Sequence, residues 1–275
     1  MSVHLFKLVV LVKGISKMNS TKVKGDKKGI IWLVGGSQGI GFELSRKLLE
    51  QGYELIISSR QAEREHNLLR LKQEYPLNVH LLNLDATDNQ SVNCAVGFIQ
   101  LKFGYLDYWI YNAGSYFPMS IDEWKFEHFK MMNDTNYLAV IQLMIALQPL
   151  FLKHGGKWIW NGSLSADFGL PYGGGYSAPK AALVNLAESL QPELKRVNIE
   201  LQIINHGFVK TRLTDKNDFQ MLGLMEPEVA ANQIAEYVKS TRFEVRFPWR
   251  LSSILHALKW MPKSWALAIT KKTLK

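Results

Sequence analysis

The chain has 275 residues, a length that suits one large α/β domain better than two. Its 47% apolar content can fill a complete core, and its single cysteine, Cys94, excludes an internal disulfide and fits a reducing compartment. The net charge of +9 divides into +6 over residues 1–28, +8 over 239–275 and −5 over the body between them, which argues against a general nucleic-acid binder, whose basic surface belongs on the folded body.

Residues 1–28 read as a basic leader without fixed structure. The apolar stretch 8–12 is short and bracketed by Lys7 and Lys13, with no small-residue cleavage site after it. A secretory signal is therefore the weaker alternative, and Met18 is a second candidate start. No run approaches the roughly 18–20 apolar residues of a membrane-crossing helix. From residue 30, short apolar runs alternate with longer helical patterns. Strands are predicted at 30–34, 54–58, 78–82, 107–111, 157–161, 200–205 and 243–247. Helices are predicted at 39–51, 61–74, 88–103, 122–153 (in one or two pieces), 176–196 and 226–239, with 211–225 irregular. Continuous apolar strands alternating with helices imply a parallel sheet covered on both faces, with ligands at the carboxyl ends of its strands.

The first strand runs into Gly35-Gly36-Ser37-Gln38-Gly39-Ile40-Gly41. Glycines supply φ > 0 and let backbone approach phosphate oxygens, and the next helix offers free N–H groups and the positive end of its dipole. The segment reads as a pyrophosphate site, the alternative being a tight structural turn. The second strand ends Ser58-Ser59-Arg60, and no Asp or Glu occurs from 55 to 62. An acid at that place would hold a ribose 2′-hydroxyl, whereas a guanidinium suits a 2′-phosphate. NADP(H) is therefore expected ahead of NAD(H), unless Arg60 is only a solvated residue opening a helix. After the third strand comes Asp85-Ala86-Thr87-Asp88, in which Asp88 reads as a helix N-cap.

Ser163 follows the fifth strand, and Tyr176 and Lys180 lie four apart on one helical face. A phenol titrates near ~10 in water, and a neighbouring ammonium is expected to lower that value. The pair can then act as acid for ketone reduction or base for alcohol oxidation, with the Ser163 hydroxyl on the substrate oxygen.

In order, these segments resemble the short-chain dehydrogenase/reductase family over residues 30 to 240. The turn resembles its T-G-x-x-x-G-I-G, with Val34 replacing the threonine; Gln38 replaces the second basic residue of NADP-linked members. Tyr111-Asn112-Ala113-Gly114 resembles N-N-A-G with Tyr111 for the first asparagine, and Asn205-His206-Gly207-Phe208-Val209-Lys210-Thr211 resembles P-G-x-V-x-T with His206 for the proline. His206 is read as a backbone-positioning substitution, a catalytic base being the alternative. Pro179, between Tyr176 and Lys180, places the helix start near 176 or 177.

The resemblance implies a doubly wound parallel sheet of the Rossmann type over 29–248, with 249–275 as a basic helical tail. It also implies an NADP(H)-linked oxidoreductase interconverting a ketone and a secondary alcohol without a metal. Asn136, Ser163, Tyr176 and Lys180 would be catalytic, Asn136 anchoring water in a proton relay. Gly35, Ser37, Gln38, Gly39, Ile40, Gly41, Ser59 and Arg60 would hold the nucleotide. Asp85, Asn112, Ala113, Gly114, Gly207, Val209 and Thr211 would join them, together with Tyr176 and Lys180. Relatives form homodimers or homotetramers on their long helices.

The substrate side carries Tyr116, Phe117, Phe168, Leu170, Tyr172, Phe219, Met221, Leu222, Leu224 and Met225, which suits a hydrophobic carbonyl or alcohol. The tail reads as two amphipathic helices broken at Pro262. Its tryptophans and basic residues suit an anionic membrane surface, peripheral to the inner face of a membrane around a cytoplasm; packing on the domain or a partner subunit is the alternative. Two other functions share parts of this pattern. One is a non-catalytic nucleotide-binding scaffold; the other is an extended nucleotide-sugar epimerase or dehydratase, which would need a larger C-terminal domain.

Overall fold

The structure, a computed structural model, describes residues 28–218, 221–272 and 274; the leader up to residue 27 and Phe219 lie outside the described residues. Seven strands form one parallel sheet: β1 (Ile30–Val34), β2 (Glu54–Ser59), β3 (Val79–Asn83), β4 (Tyr108–Tyr111), β5 (Gly156–Asn161), β6 (Ile199–His206) and β7 (Glu244–Phe247). Their order is β3-β2-β1-β4-β5-β6-β7, so the winding reverses between β1 and β4 and opens a crevice there. Helices α1 (Gly39–Glu50), α2 (His66–Glu74), α3 (Asn89–Lys102), α4 (Phe126–Asn133), α5 (Ala139–His154), α6 (Gly174–Arg196) and α7 (Pro227–Tyr237) cover the sheet, and α8 (Trp249–Trp260) and α9 (Lys263–Lys271) follow β7.

Both faces of the sheet centre are buried, which is why β1 is apolar at every position and β4 and β5 nearly so. Ile31, Leu33, Leu55, Ile57, Ile110 and Ile204 pack under α1, α2 and α7. The opposite face, under α3, α5 and α6, is aromatic. Trp32, Trp109 and Trp158 are register neighbours on β1, β4 and β5, with Trp160 beside Tyr111. Trp109 meets Trp158 edge to face at 5.5 Å. Trp32 donates to Ser58 Oγ at 2.8 Å, whereas the indole N–H groups of Trp109, Trp158 and Trp160 have no hydrogen-bond partner.

Three expectations are corrected. Helix α2 begins at His66 rather than 61. Residues after Arg60 instead turn tightly, with Ala62 buried and the Asn83 side chain accepting from Glu63 N–H. Helix α6 begins at Gly174, ahead of Tyr176, with Pro179 inside it. Gly175 lets that early turn pack flat, since a Cβ there would lie 2.4 Å from Met132 Cε. The helical run Phe126–His154 is, with a mean hydropathy of 1.5, long and apolar enough by length and composition to cross a membrane. Its Ala139, Val140, Leu143, Leu147 and Phe151 are buried against the sheet, which accounts for one face of the apolar pattern, while Leu138, Ile145 and Leu152 are exposed. One π turn, Asp134–Leu138, interrupts that run between α4 and α5.

Candidate active site

The carboxyl ends of the central strands open into one cleft of about 1030 Å³, the large end of the usual range for ligand sites. At one end lies the glycine turn. Gly35 has φ +87°, and a Cβ there would stand 2.5 Å from Ala113 N; at Gly41 it would stand 2.0 Å from Gly35 O. Only glycine lets the turn close against the β4 loop. The N-terminus of α1 then faces the cleft with an extended Gln38 that makes no side-chain cap, and no acid in its first turn. Such an end fits an anion. Ser59 Oγ is buried without a hydrogen-bond partner beside the exposed Arg60, and both line the cleft. An orphaned hydroxyl next to a guanidinium fits a phosphorylated ribose.

Asp85 also lines the cleft, its Oδ1 accepting from Thr87 N (2.9 Å) and Oγ1 (2.7 Å), while Asp88 caps α3 through Gln90 N–H. Asn112 Nδ2 donates to Gly35 O (2.7 Å), Asn161 Nδ2 to Asn112 Oδ1 (2.6 Å), and Lys180 Nζ to Asn161 O (2.7 Å). The glycine turn and the buried Lys180 thus belong to one hydrogen-bonded chain. Tyr111, the departure from the family's asparagine, spends its hydroxyl on Thr135 O at 2.6 Å. That carbonyl lies in the π turn, next to the buried Asn136, whose amide accepts from Ser115 N (3.1 Å) and donates to Ser115 O (2.8 Å).

Ser163 is buried at the start of a short 3-10 turn, Leu164–Ala166, and its Oγ accepts from Ser165 N (3.2 Å) and Oγ (2.9 Å). Its own hydrogen is directed to the Tyr176 oxygen. Lys180 Nζ stands 5.8 Å from the centre of the Tyr176 ring, and the Tyr116 ring meets Tyr176 edge-on at 5.2 Å. Desolvation pushes the Tyr176 phenol up to about 12, with hydrogen bonding to Ser163 pulling the other way. Burial also brings Lys180 down to about 8. The expectation of a lowered phenol pKa is thus corrected: desolvation is the largest influence, the opposing pull comes from Ser163, and the chain alone holds a protonated phenol at neutral pH.

His206 is brought down to about 4 by desolvation, so its imidazole is neutral; its Nδ1–H donates to Gly207 O at 2.9 Å. This arrangement fits backbone positioning and makes a poor base. Gly207, Val209 and Thr211 line the cleft, the Thr211 methyl lying 3.0 Å from where a Cβ on Gly39 would be. Ser37, Gln38, Ile40, Ala113 and Gly114 line it as well, whereas Gly41 serves the turn from behind.

On the substrate side, Tyr116, Phe117 and Leu170 line the cleft, and Phe168 packs behind it with Leu164. Met221, Leu222, Leu224 and Met225 are not in its wall: Met225 packs under the sheet, and Leu222 and Leu224 are exposed. Their places are taken by Met131, Phe208, Leu213 and, from α8, Leu251 and Leu255. Lys130, Arg212 and Lys216 add cations at the rim, Lys216 Nζ lying 3.7 Å from the centre of the Phe117 ring. Leu251, Leu255, Leu258 and Ala266 form a third buried cluster with Leu164 and Phe168, so one face of the tail packs on the domain. Sequence reasoning missed Asn161, Asn205 and the two α8 leucines. Both asparagines stand at the carboxyl ends of their strands, Asn161 in the cleft wall and Asn205 buried beside Ser163, and that position was the available signal.

The profile of the family described as short chain dehydrogenase matches residues 29–221. An uncharacterized oxidoreductase of Bacillus subtilis (strain 168), YusZ, is 29% identical over 238 residues, covering 84% of each chain. A solved short-chain dehydrogenase from Streptomyces avermitilis superposes with a TM-score of 0.76 at 21% identity over 90% of this chain and 98% of that one. An alcohol dehydrogenase from the archaeon Thermococcus sibiricus, solved with 5-hydroxy-NADP, gives a TM-score of 0.71 at 25% identity over 79% and 95%.

Proposed function

From the premise that the chain belongs to the short-chain dehydrogenase family of oxidoreductases, we propose that it interconverts a hydrophobic ketone and its secondary alcohol with NADP(H). One observation carries the reading. A half-buried, protonated phenol stands between the Ser163 hydroxyl and the Lys180 ammonium, in the cleft that also receives the glycine turn. When bound, the nicotinamide supplies or accepts the hydride. In reduction, the Ser163 hydroxyl donates to the carbonyl oxygen as charge develops there, and Tyr176 gives that oxygen its proton. Lys180, held by Asn161 O, stabilises the phenolate left behind. Asn136 is assigned to the proton path behind Lys180. Turnover of acetophenone, cyclohexanone and a long-chain methyl ketone with NADPH tests the class: loss of NADPH matched by alcohol is expected, and none with any ketone would contradict it.

The 2′-phosphate is assigned to Ser59 and Arg60, with NADP(H) preferred over NAD(H). The NADP derivative bound by the Thermococcus sibiricus relative supports this choice. Arg60→Ala is expected to weaken NADPH binding by ~1–3 kcal/mol, the range for a lost charged hydrogen bond, and to leave NADH binding unchanged. Fluorescence titration checks it; equal losses for both nucleotides would show that Arg60 reads no phosphate.

A second reading concerns the surface of the tail. Trp249, Trp260 and Trp265 are 70%, 74% and 67% exposed, with Arg250, Lys263, Lys271 and Lys272 exposed beside them. We assign this face to an anionic membrane surface, each cation adding ~1 kcal/mol close to the headgroups. The inner face of α8 lines the cleft, so lipid contact would bring an apolar substrate near its entrance. The chain is expected to sediment with phosphatidylserine vesicles at low salt and to be released by high salt. Lys263→Glu/Lys271→Glu/Lys272→Glu should abolish sedimentation without altering nucleotide binding. A wild-type chain that ignores such vesicles would overturn the assignment. A homodimer or homotetramer is proposed through the outer face of α5, where Ile145 and Leu152 are exposed, and the lone Cys94 accords with a cytoplasmic setting.

A further inference from the structure

The catalytic turn is tied at both ends to the segment that precedes the tail. At its start, Ser163 N–H donates to Asn205 Oδ1 at 3.0 Å, and Asn205 Nδ2 donates to Glu244 Oε1 at 2.7 Å. Arg246, two residues along β7, donates to the same oxygen at 2.6 Å. At the turn's other end Asp167 follows Ala166, and Arg246 forks onto it: Nη1 donates to Oδ1 at 3.3 Å and Nη2 to Oδ2. The Nε of Arg246 donates to Ser252 Oγ on α8 at 2.9 Å, and Lys259 Nζ lies 3.9 Å from Asp167 Oδ1. Asn205 is buried, and the Asp167 and Arg246 side chains are only 6% and 20% exposed. Two acids face two cations, so the group is balanced, and a planar guanidinium spanning four acceptor atoms on three side chains has little rotational freedom.

The geometry points to Arg246 as a positioning residue for Ser163: by bridging Glu244 and Asp167 it closes a ring of hydrogen bonds around the catalytic turn and fixes the serine hydroxyl against Tyr176. This rests on the role proposed above for Ser163. Gly162 fits the same picture, because a Cβ there would lie 2.1 Å from Asn205 Oδ1. The turn can therefore press against Asn205 only where no side chain intervenes. Arg246 lines no part of the cleft, so its effect on chemistry must pass through the turn.

The test is a double-mutant cycle on the full chain, with NADPH and whichever ketone of the panel above turns over fastest. Arg246→Met is expected to lower kcat about 10- to 100-fold, the size of effect that a misplacement of roughly 1 Å can have, while leaving NADPH affinity unchanged. In the Ser163→Ala background the same substitution should cost nothing further, because the group being positioned is gone. Arg246→Lys, which keeps the charge but not the fork, should recover only part of the loss. Should Arg246→Met fail to fold, Asp167→Asn takes its place in the cycle with the same expectation. Multiplying losses in the double variant, or wild-type kcat in the folded single variant, would overturn the inference and leave Arg246 as a brace for α8. Wild-type turnover by Ser163→Ala would instead overturn the role of Ser163 itself, an outcome read from that variant alone.

Discussion

Tyr176→Phe is expected to lower kcat about 100- to 10,000-fold, the usual contribution of a positioned proton donor, while NADPH binds as it does to the wild type. The substitution removes one oxygen and keeps the ring, so its edge-on contact with Tyr116 survives. What disappears is a phenol that desolvation holds near 12 and that therefore carries its proton throughout the neutral range. Lys180 cannot stand in for it, because its ammonium is directed to Asn161 O and stands 5.8 Å from the ring centre. Stopped-flow and steady-state rates with the same ketone measure the loss. Turnover near that of the wild type would remove Tyr176 from the chemistry.

Gly41→Ala is expected to abolish measurable nucleotide binding and to destabilise the fold. The added methyl would fall 2.0 Å from Gly35 O and 2.6 Å from Asn112 Nδ2. One of these is backbone at the end of a buried strand, and the other belongs to the chain of amides leading to Lys180. Neither can yield without opening the turn. Overpacking of this kind costs roughly 1–3 kcal/mol, and here it falls on the segment that must receive the pyrophosphate. Gly97→Ala on α3 is the matched control: nothing lies within 4 Å of its Cβ, and alanine gains helix propensity. Thermal unfolding and a nucleotide fluorescence titration read both variants. Undiminished NADPH binding by Gly41→Ala would show that the turn is no nucleotide site.

The alternation of strands and helices was legible because the central strands β1, β4 and β5 are apolar on both faces, as a doubly covered parallel sheet requires. Residues at strand ends were legible for a related reason: β1, β4, β5 and β6 deliver Gly35, Asn112, Ser163 and His206 to one crevice, so position along the chain translated into position in the cleft. Features that depend on contacts between distant segments were not. The start of α2 is decided by Asn83 binding Glu63 N–H, twenty residues away, and no local pattern encodes it. The π turn at Asn136 depends on Tyr111 reaching Thr135 O. Leu251 and Leu255 look like any amphipathic helix positions until α8 folds back over the turn after Ser163. The phenol's pKa was misjudged in sign because an i, i+4 spacing gives the neighbouring charge but says nothing of burial, and burial is the larger effect here.

The central claim is that this chain moves a hydride between NADPH and a carbonyl carbon while Tyr176 supplies the proton. The most direct measurement follows deuterium from NADPH labelled at C4 of the nicotinamide (in each stereochemistry) into the alcohol formed from the panel ketones by the wild-type chain. One deuterium on the carbinol carbon for each NADPH consumed, from one of the two labelled forms and formed about 100- to 10,000-fold more slowly by Tyr176→Phe, is the expected result. NADPH bound tightly while no ketone yields labelled alcohol would contradict it, and would leave a nucleotide-binding protein that kept the fold without the chemistry.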